Sequence, residues 1–135
     1  MRNVAAALVA LASMSLIPVN QTQSQWAQTN GPYGGFVQCF AVSGSNLFAG
    51  DGLNGGVYLS TNSGTSWTAV NTGLTNHYVL ALTVSGTNLF AGTNGAGVFL
   101  STNNGTSWSP VNSGLTNTYP AALAVSGANL FAGTS

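Results

Sequence analysis

A repeat of about 41 residues fixes what this chain can fold into. Val42-Ser-Gly-Ser-Asn-Leu-Phe-Ala-Gly50 returns as Val84-Ser-Gly-Thr-Asn-Leu-Phe-Ala-Gly92 and again as Val125-Ser-Gly-Ala-Asn-Leu-Phe-Ala-Gly133. Between the copies, Gly56-Val-Tyr-Leu-Ser-Thr-Asn-Ser-Gly-Thr-Ser-Trp67 matches Gly97-Val-Phe-Leu-Ser-Thr-Asn-Asn-Gly-Thr-Ser-Trp108, and Trp26, Trp67 and Trp108 stand 41 residues apart. Such a period marks a supersecondary unit that buries its apolar surface against neighbouring units.

Each unit divides into four short apolar runs separated by Gly, Asn and Ser, the pattern of antiparallel strands joined by tight turns. In the second repeat the strands are expected near Val79 to Val84, Asn88 to Gly92, Val98 to Ser101 and Ser107 to Val111. No stretch beyond the N-terminal segment has helical periodicity. The expected fold is therefore all-β, a partial β-propeller of four-stranded antiparallel blades, because four-stranded units at this spacing bury their faces around an axis. The phase of the tryptophans predicts a lone fourth strand at 25–30, a blade at 36–71, a second at 78–112, and at 119–135 only the first two strands of another. Joined end to end, such chains would lack one third strand at every seam, so the pattern predicts a piece of a larger propeller (about two and a half blades of it) rather than a ring of short subunits.

The N-terminus predicts an export signal over 1–24: Arg2, an apolar stretch from Val4 to Ile17 broken only by Ser13 and Ser15, then Pro18 and a polar segment. That stretch is short for a membrane span, so no membrane association is expected once the signal is removed. Exported proteins often carry disulfides, but Cys39 is the only cysteine and cannot pair within the chain. It aligns with Ala81 and Ala122, which predicts a small buried thiol.

Charge is almost absent, with Arg2 the only basic residue, Asp51 the only acidic one, and neither Lys nor Glu anywhere. Nucleic acid is excluded as a partner, because neutralising a phosphate backbone needs Lys and Arg. Low charge with many Gly, Ser and Asn would suit a disordered linker, but the regular spacing of Val, Leu, Phe and Trp opposes it.

The two copies of Ser60-Thr-Asn62-Ser-Gly64-Thr-Ser66-Trp67 and Ser101-Thr-Asn103-Asn-Gly105-Thr-Ser107-Trp108 resemble the Asp-box of the sialidase-type BNR repeat family, Ser-x-Asp-x-Gly-x-Thr-Trp, with Asn in the acidic place and Ser in the Thr place. The resemblance covers essentially everything after the signal. It implies a propeller with the box at the turn between third and fourth strands, and a secreted protein, extracellular or periplasmic and of bacterial type. Asn62 and Asn103 can turn their side-chain oxygens onto backbone amides two residues on, Gly64 and Gly105 can take positive φ, and the tryptophans can fill the space between units. An Asn in place of Asp removes the charge a hard cation would seek, so neither a metal nor a cofactor is expected.

Antiparallel order places the first-to-second turn and the box on one side, and the second-to-third and unit-to-unit connections on the other. That second side is the expected ligand face, carrying Asp51, Asn76, Tyr78, Asn117 and Tyr119, with Asn54, His77 and Asn94 beside them. Tyr rings stack on sugar C–H surfaces and amides read hydroxyls, although the same residues are ordinary turn formers. Catalysis is not expected. The resemblance implies an arginine cluster, a tyrosine nucleophile with a Glu partner and an Asp acid/base, and this chain has no Glu and no Arg after Arg2. Asp51 has no second side-chain carboxylate, which excludes the two-carboxylate glycosidase design. The sequence therefore predicts a non-catalytic interaction or adhesion scaffold, its partners an unidentified protein or glycan and the other blades of a parent propeller; a lectin-like sugar binder is the alternative.

Overall fold

The structure, a computed structural model, describes residues 28–32 and 34–135. The expected signal at 1–24, Trp26 and the first half of the expected strand at 25–30 lie outside the described residues. Among the described residues none is helical, and ten strands follow one another: β1 (Val37–Ser43), β2 (Asn46–Asp51), β3 (Gly56–Ser60), β4 (Thr68–Ala69), β5 (Val79–Ser85), β6 (Asn88–Thr93), β7 (Gly97–Ser101), β8 (Ser109–Pro110), β9 (Pro120–Ser126) and β10 (Asn129–Thr134). They form a four-stranded sheet β1-β2-β3-β4, a second β5-β6-β7-β8, and a two-stranded pair β9-β10, antiparallel throughout.

The repeat is visible in the register. Val79 pairs with Thr93 and Ala81 with Gly92, with an irregularity between Val79 and Ala81; Pro120 with Thr134 and Ala122 with Gly133 repeat it, as do Val37 with Asp51 and Cys39 with Gly50. A bulge at the same place in each first strand increases the local twist and re-aims the residue that enters it. Gly44, Gly86 and Gly127 close the three first hairpins with φ of 59°, 60° and 58°.

The fourth strands are shorter than the spacing predicts, two residues rather than five. In the second sheet the reason is that Trp108 leaves its own ladder to bond the preceding unit, its N–H donating to the Thr72 carbonyl at 2.9 Å and its Nε1 to the Val70 carbonyl at 2.7 Å. Pro110, in the same strand, has no N–H to give.

Sheets stack in chain order, and the core lies between them. Phe48, Val57 and Leu74 of the first unit pack with Val79, Leu82, Leu89, Ala91, Phe99 and Trp108 of the second, while Cys39, Ala41 and Val84 flank the cluster. Glycines set the spacing: a Cβ on Gly50 would come within 2.7 Å of Val79 Cγ1, and one on Gly92 within 3.1 Å of Pro120 Cγ. The equivalent Gly133 meets only Ala122 of its own pair. Trp67 is half-buried beside Phe40, with ring centroids 6.4 Å apart, and its Nε1 has no partner among the described residues. Thr29 sits against Gly64 as Val70 sits against Gly105. The described end of the N-terminal segment therefore holds, beside the first sheet, the place that residues after β4 hold beside the second.

Two glycines separate backbone strain from packing. Gly73 (φ 84°) would drive a Cβ into the Trp108 carbonyl, whereas its counterpart Gly114 (φ 82°) has nothing within 4 Å. Gly114→Ala is expected to cost the left-handed penalty alone, about 1–2 kcal/mol. Gly73→Ala should cost roughly 2 kcal/mol more, because Trp108 must shift as well. Urea unfolding midpoints check this, and equal losses would show that the contact is not tight.

Candidate functional site

The box turns are the most regular polar structures in the chain. In the first, Gly64 N–H donates to Ser60 Oγ at 2.8 Å, the Ser60 hydroxyl donates to Asn62 Oδ1 at 2.9 Å, Ser66 N–H donates to the same Oδ1 at 2.9 Å, and Asn62 Nδ2 donates to Ser66 Oγ at 2.8 Å. Ser101, Asn103, Gly105 and Ser107 repeat these bonds at 2.8–2.9 Å. The Asn oxygen thus reaches the amide four residues on; the amide two residues on belongs to the serine hydroxyl. This follows from two consecutive left-handed residues, Ser63 (φ 55°) with Gly64 (φ 82°) and Asn104 (φ 55°) with Gly105 (φ 80°), which wrap the backbone around the serine. Ser60 and Ser101 are buried, and Asn62 and Asn103 are exposed but committed to the turn.

On the opposite side the connection between units lies over the second-to-third turn of the preceding unit. Gly56 N–H donates to the His77 carbonyl at 2.9 Å, and Gly97 N–H donates to the Thr118 carbonyl at 3.0 Å, so the pairing of His77 with Thr118 in the repeat is also a pairing of backbone roles. Asn76 Oδ1 accepts Tyr78 N–H at 2.8 Å while its Nδ2 donates to the Asn94 carbonyl at 2.7 Å; Asn117 does the same with Tyr119 N–H at 2.9 Å and the Ser135 carbonyl at 2.6 Å. Tyr78 is half-buried, and Tyr119 is exposed and lies over Gly95. Asn54 takes a left-handed φ of 81° in the β2–β3 turn.

Asp51 is 2% exposed, and its surroundings explain the single acidic side chain. Phe36 occupies the position of Tyr78 and Tyr119, but Gly34 stands where they have Asn76 and Asn117. The missing acceptor comes from across the turn: Asp51 Oδ2 accepts Phe36 N–H at 2.8 Å, and Oδ1 accepts Leu53 N–H at 2.7 Å and Gly55 N–H at 2.9 Å. Gly35 leaves room for the carboxylate, since a Cβ there would lie 2.7 Å from Oδ2. In the second unit, whose turn is one residue shorter, Thr93 takes the place of Asp51 and donates its hydroxyl to the Gly97 carbonyl at 2.9 Å.

Two residues escaped the sequence reading. Asn71 Oδ1 accepts Val57 N–H at 2.7 Å and its Nδ2 donates to the Gly55 carbonyl at 3.1 Å; Asn112 does the same for Val98 N–H and the Ala96 carbonyl at 2.7 and 3.0 Å. Each fastens the chain beyond the fourth strand to the head of the third. The signal was available in the recurrence of Asn30, Asn71 and Asn112 at the 41-residue period.

Among the described residues no three His, Cys, Asp or Glu side chains come together to hold a metal ion. Cys39 is free and half-buried, and burial pushes its thiol from 9.0 up to about 12, with the Gly50 backbone opposing only in part. No protein-family model matches the chain, and no curated protein or solved structure is found to be similar to it.

Two measurements follow from these geometries. Asp51→Ala strands three backbone donors and should cost about 3 kcal/mol in urea unfolding. Asp51→Asn should lose roughly half of that, because its oxygen still serves Leu53 and Gly55 but its NH2 faces Phe36 N–H. For Cys39 the folded thiol keeps its proton where the unfolded one has lost it, so stability is full below pH 9 and falls as pH rises from 9.0 toward about 12. Cys39→Ala should remove that part of the alkaline loss; an unchanged profile would place the loss elsewhere.

Proposed function

We propose that the chain is a non-catalytic, secreted interaction or adhesion scaffold whose stacked sheets are blades of a BNR-type β-propeller. The observation that carries this reading is the use made of the polar side chains. Both box turns close on the same four bonds, and Asp51, Asn76 and Asn117 are committed to holding backbone on the opposite side. A side chain fixed by its own backbone has little capacity left for substrate chemistry, whereas a rigid array of identical turns presents a repeated surface well suited to a macromolecular partner. The Asn in each box both accepts and donates within its own turn, in keeping with a role in folding.

The sugar-binding alternative is favoured by one specific feature. Asn76-His-Tyr78 and Asn117-Thr-Tyr119 place tyrosines at matching positions beside exposed turns, which a repeated glycan would find in register.

A glycan array and a set of fluorogenic glycosides, sialosides included, test the two readings. The scaffold reading expects no turnover above buffer and no saturable retention of sugar. Turnover would contradict it outright, and retention that disappears in Tyr119→Ala would replace it with the lectin reading.

A further inference from the structure

An asparagine followed by glycine modifies itself more readily than any other, because glycine has no side chain to shield its backbone nitrogen. Asn30-Gly31 precedes the first sheet, and three further pairs lie in the turns of the first two: Asn54-Gly55, Asn94-Gly95 and Asn104-Gly105. In these three the asparagine is exposed and the glycine N–H is donated, so the fold occupies the nitrogen that would react. The acceptors differ. Gly105 N–H goes to Ser101 Oγ at 2.8 Å, a buried hydroxyl of its own turn. Gly55 N–H goes to Asp51 Oδ1 at 2.9 Å, a carboxylate of its own turn whose charge opposes loss of the amide proton. Gly95 N–H reaches the Thr118 carbonyl at 3.1 Å, in the connection to the next unit, and the Tyr119 ring lies over it. The exposure of this turn belongs to the repeat: its counterpart in the first unit, with a complete second sheet beyond it, exposes Leu53 and Asn54.

We propose that Asn94-Gly95 is a self-modification site, at which asparagine converts to aspartate and isoaspartate when the Thr118-Tyr119 connection lifts from it. Hydroxide then takes the Gly95 amide proton, and the nitrogen attacks Asn94 Cγ. The new C–N bond closes a cyclic imide and the side-chain amide leaves as ammonia. Water opens the imide: cleavage at Cγ gives aspartate, and cleavage at the former backbone carbonyl gives isoaspartate. No reagent beyond water and hydroxide is consumed. The isoaspartate product cannot reseat. Its main chain is longer by a methylene between the two N–H groups that reach the Tyr78 and Thr118 carbonyls at 2.9 and 3.1 Å. The Asn94 carbonyl that accepts Asn76 Nδ2 at 2.7 Å becomes a free carboxylate. Either product adds a negative charge to a chain whose only acidic side chain is Asp51. The site therefore records, irreversibly, how often the third unit lifts from the second.

The test is chymotryptic peptide mapping of the full chain held at mildly alkaline pH, with the mass gain of each Asn-Gly pair followed over time. Each pair's rate in the folded chain is divided by its rate in urea, which cancels the effect of local sequence. Only molecules whose glycine amide is released react, so this ratio follows the population of the locally open state. The ratio for Asn94 is expected to lie below one and to exceed those for Asn54 and Asn104 by about tenfold or more, because its acceptor belongs to another unit. Tyr119→Ala, which uncovers Gly95, should raise the Asn94 ratio about fivefold and leave that of Asn104 unchanged. A ratio of one for Asn94 would show that the connection does not hold the site. Equal ratios for the three pairs, or an Asn94 ratio indifferent to Tyr119→Ala, would likewise overturn the proposal, and the ranking in the unsubstituted chain decides it even where the variant fails to fold.

Discussion

The contact on which the rest depends is the seat of Trp108 on the unit before it. Its indole and its backbone amide both donate across the gap, to Val70 and Thr72, and its ring closes the cluster that contains Phe48 and Phe99. A four-stranded antiparallel sheet with two apolar faces cannot be stable alone in water, because the hydrophobic term needs a second layer. The stack supplies it, and the glycines that bring Gly50 onto Val79 and Gly92 onto Pro120 keep the layers close enough for dispersion contacts.

A chain with almost no charge has to satisfy its turns by other means. Asn, Ser and Thr do so here, each fixing backbone amides within a few residues or across one turn, at Asn62, Asn71, Asn76 and their partners one repeat on. Asp51 shows the rule by its exception. Where the first unit lacks the Asn that precedes Tyr78 and Tyr119, a carboxylate from the neighbouring turn takes its amide, and the turn carries one extra residue. The same chemistry explains why the polar face looks like a binding surface in sequence: residues suited to reading hydroxyls are those suited to holding turns.

Much of the fold was legible. The period marked the units, the apolar runs marked the strands to within one or two residues at β5, β6 and β7, and Gly64 and Gly105 announced positive φ. Local pattern could not disclose the long-range bonds. The length of β8 depended on Trp108 bonding to the preceding unit, the box geometry on Ser63 and Asn104 joining their glycines in the left-handed region, and the burial of Asp51 on a Gly at position 34. Spacing placed Asn76, Tyr78, Asn117 and Tyr119 on the expected side, but only coordinates assign their side-chain bonds.

The central claim is that the units hold together at their faces, through Trp108. Native-state hydrogen exchange of the Trp108 indole N–H tests it most directly, because that proton sits between the first and second sheets and in neither ladder. The account predicts protection equal to that of the slowest amides in β6 and β7, so that the seat opens only when the sheets come apart. Exchange as fast as that of an exposed indole, with those ladder amides still protected, would mean that each sheet stands without its neighbour and would contradict the account.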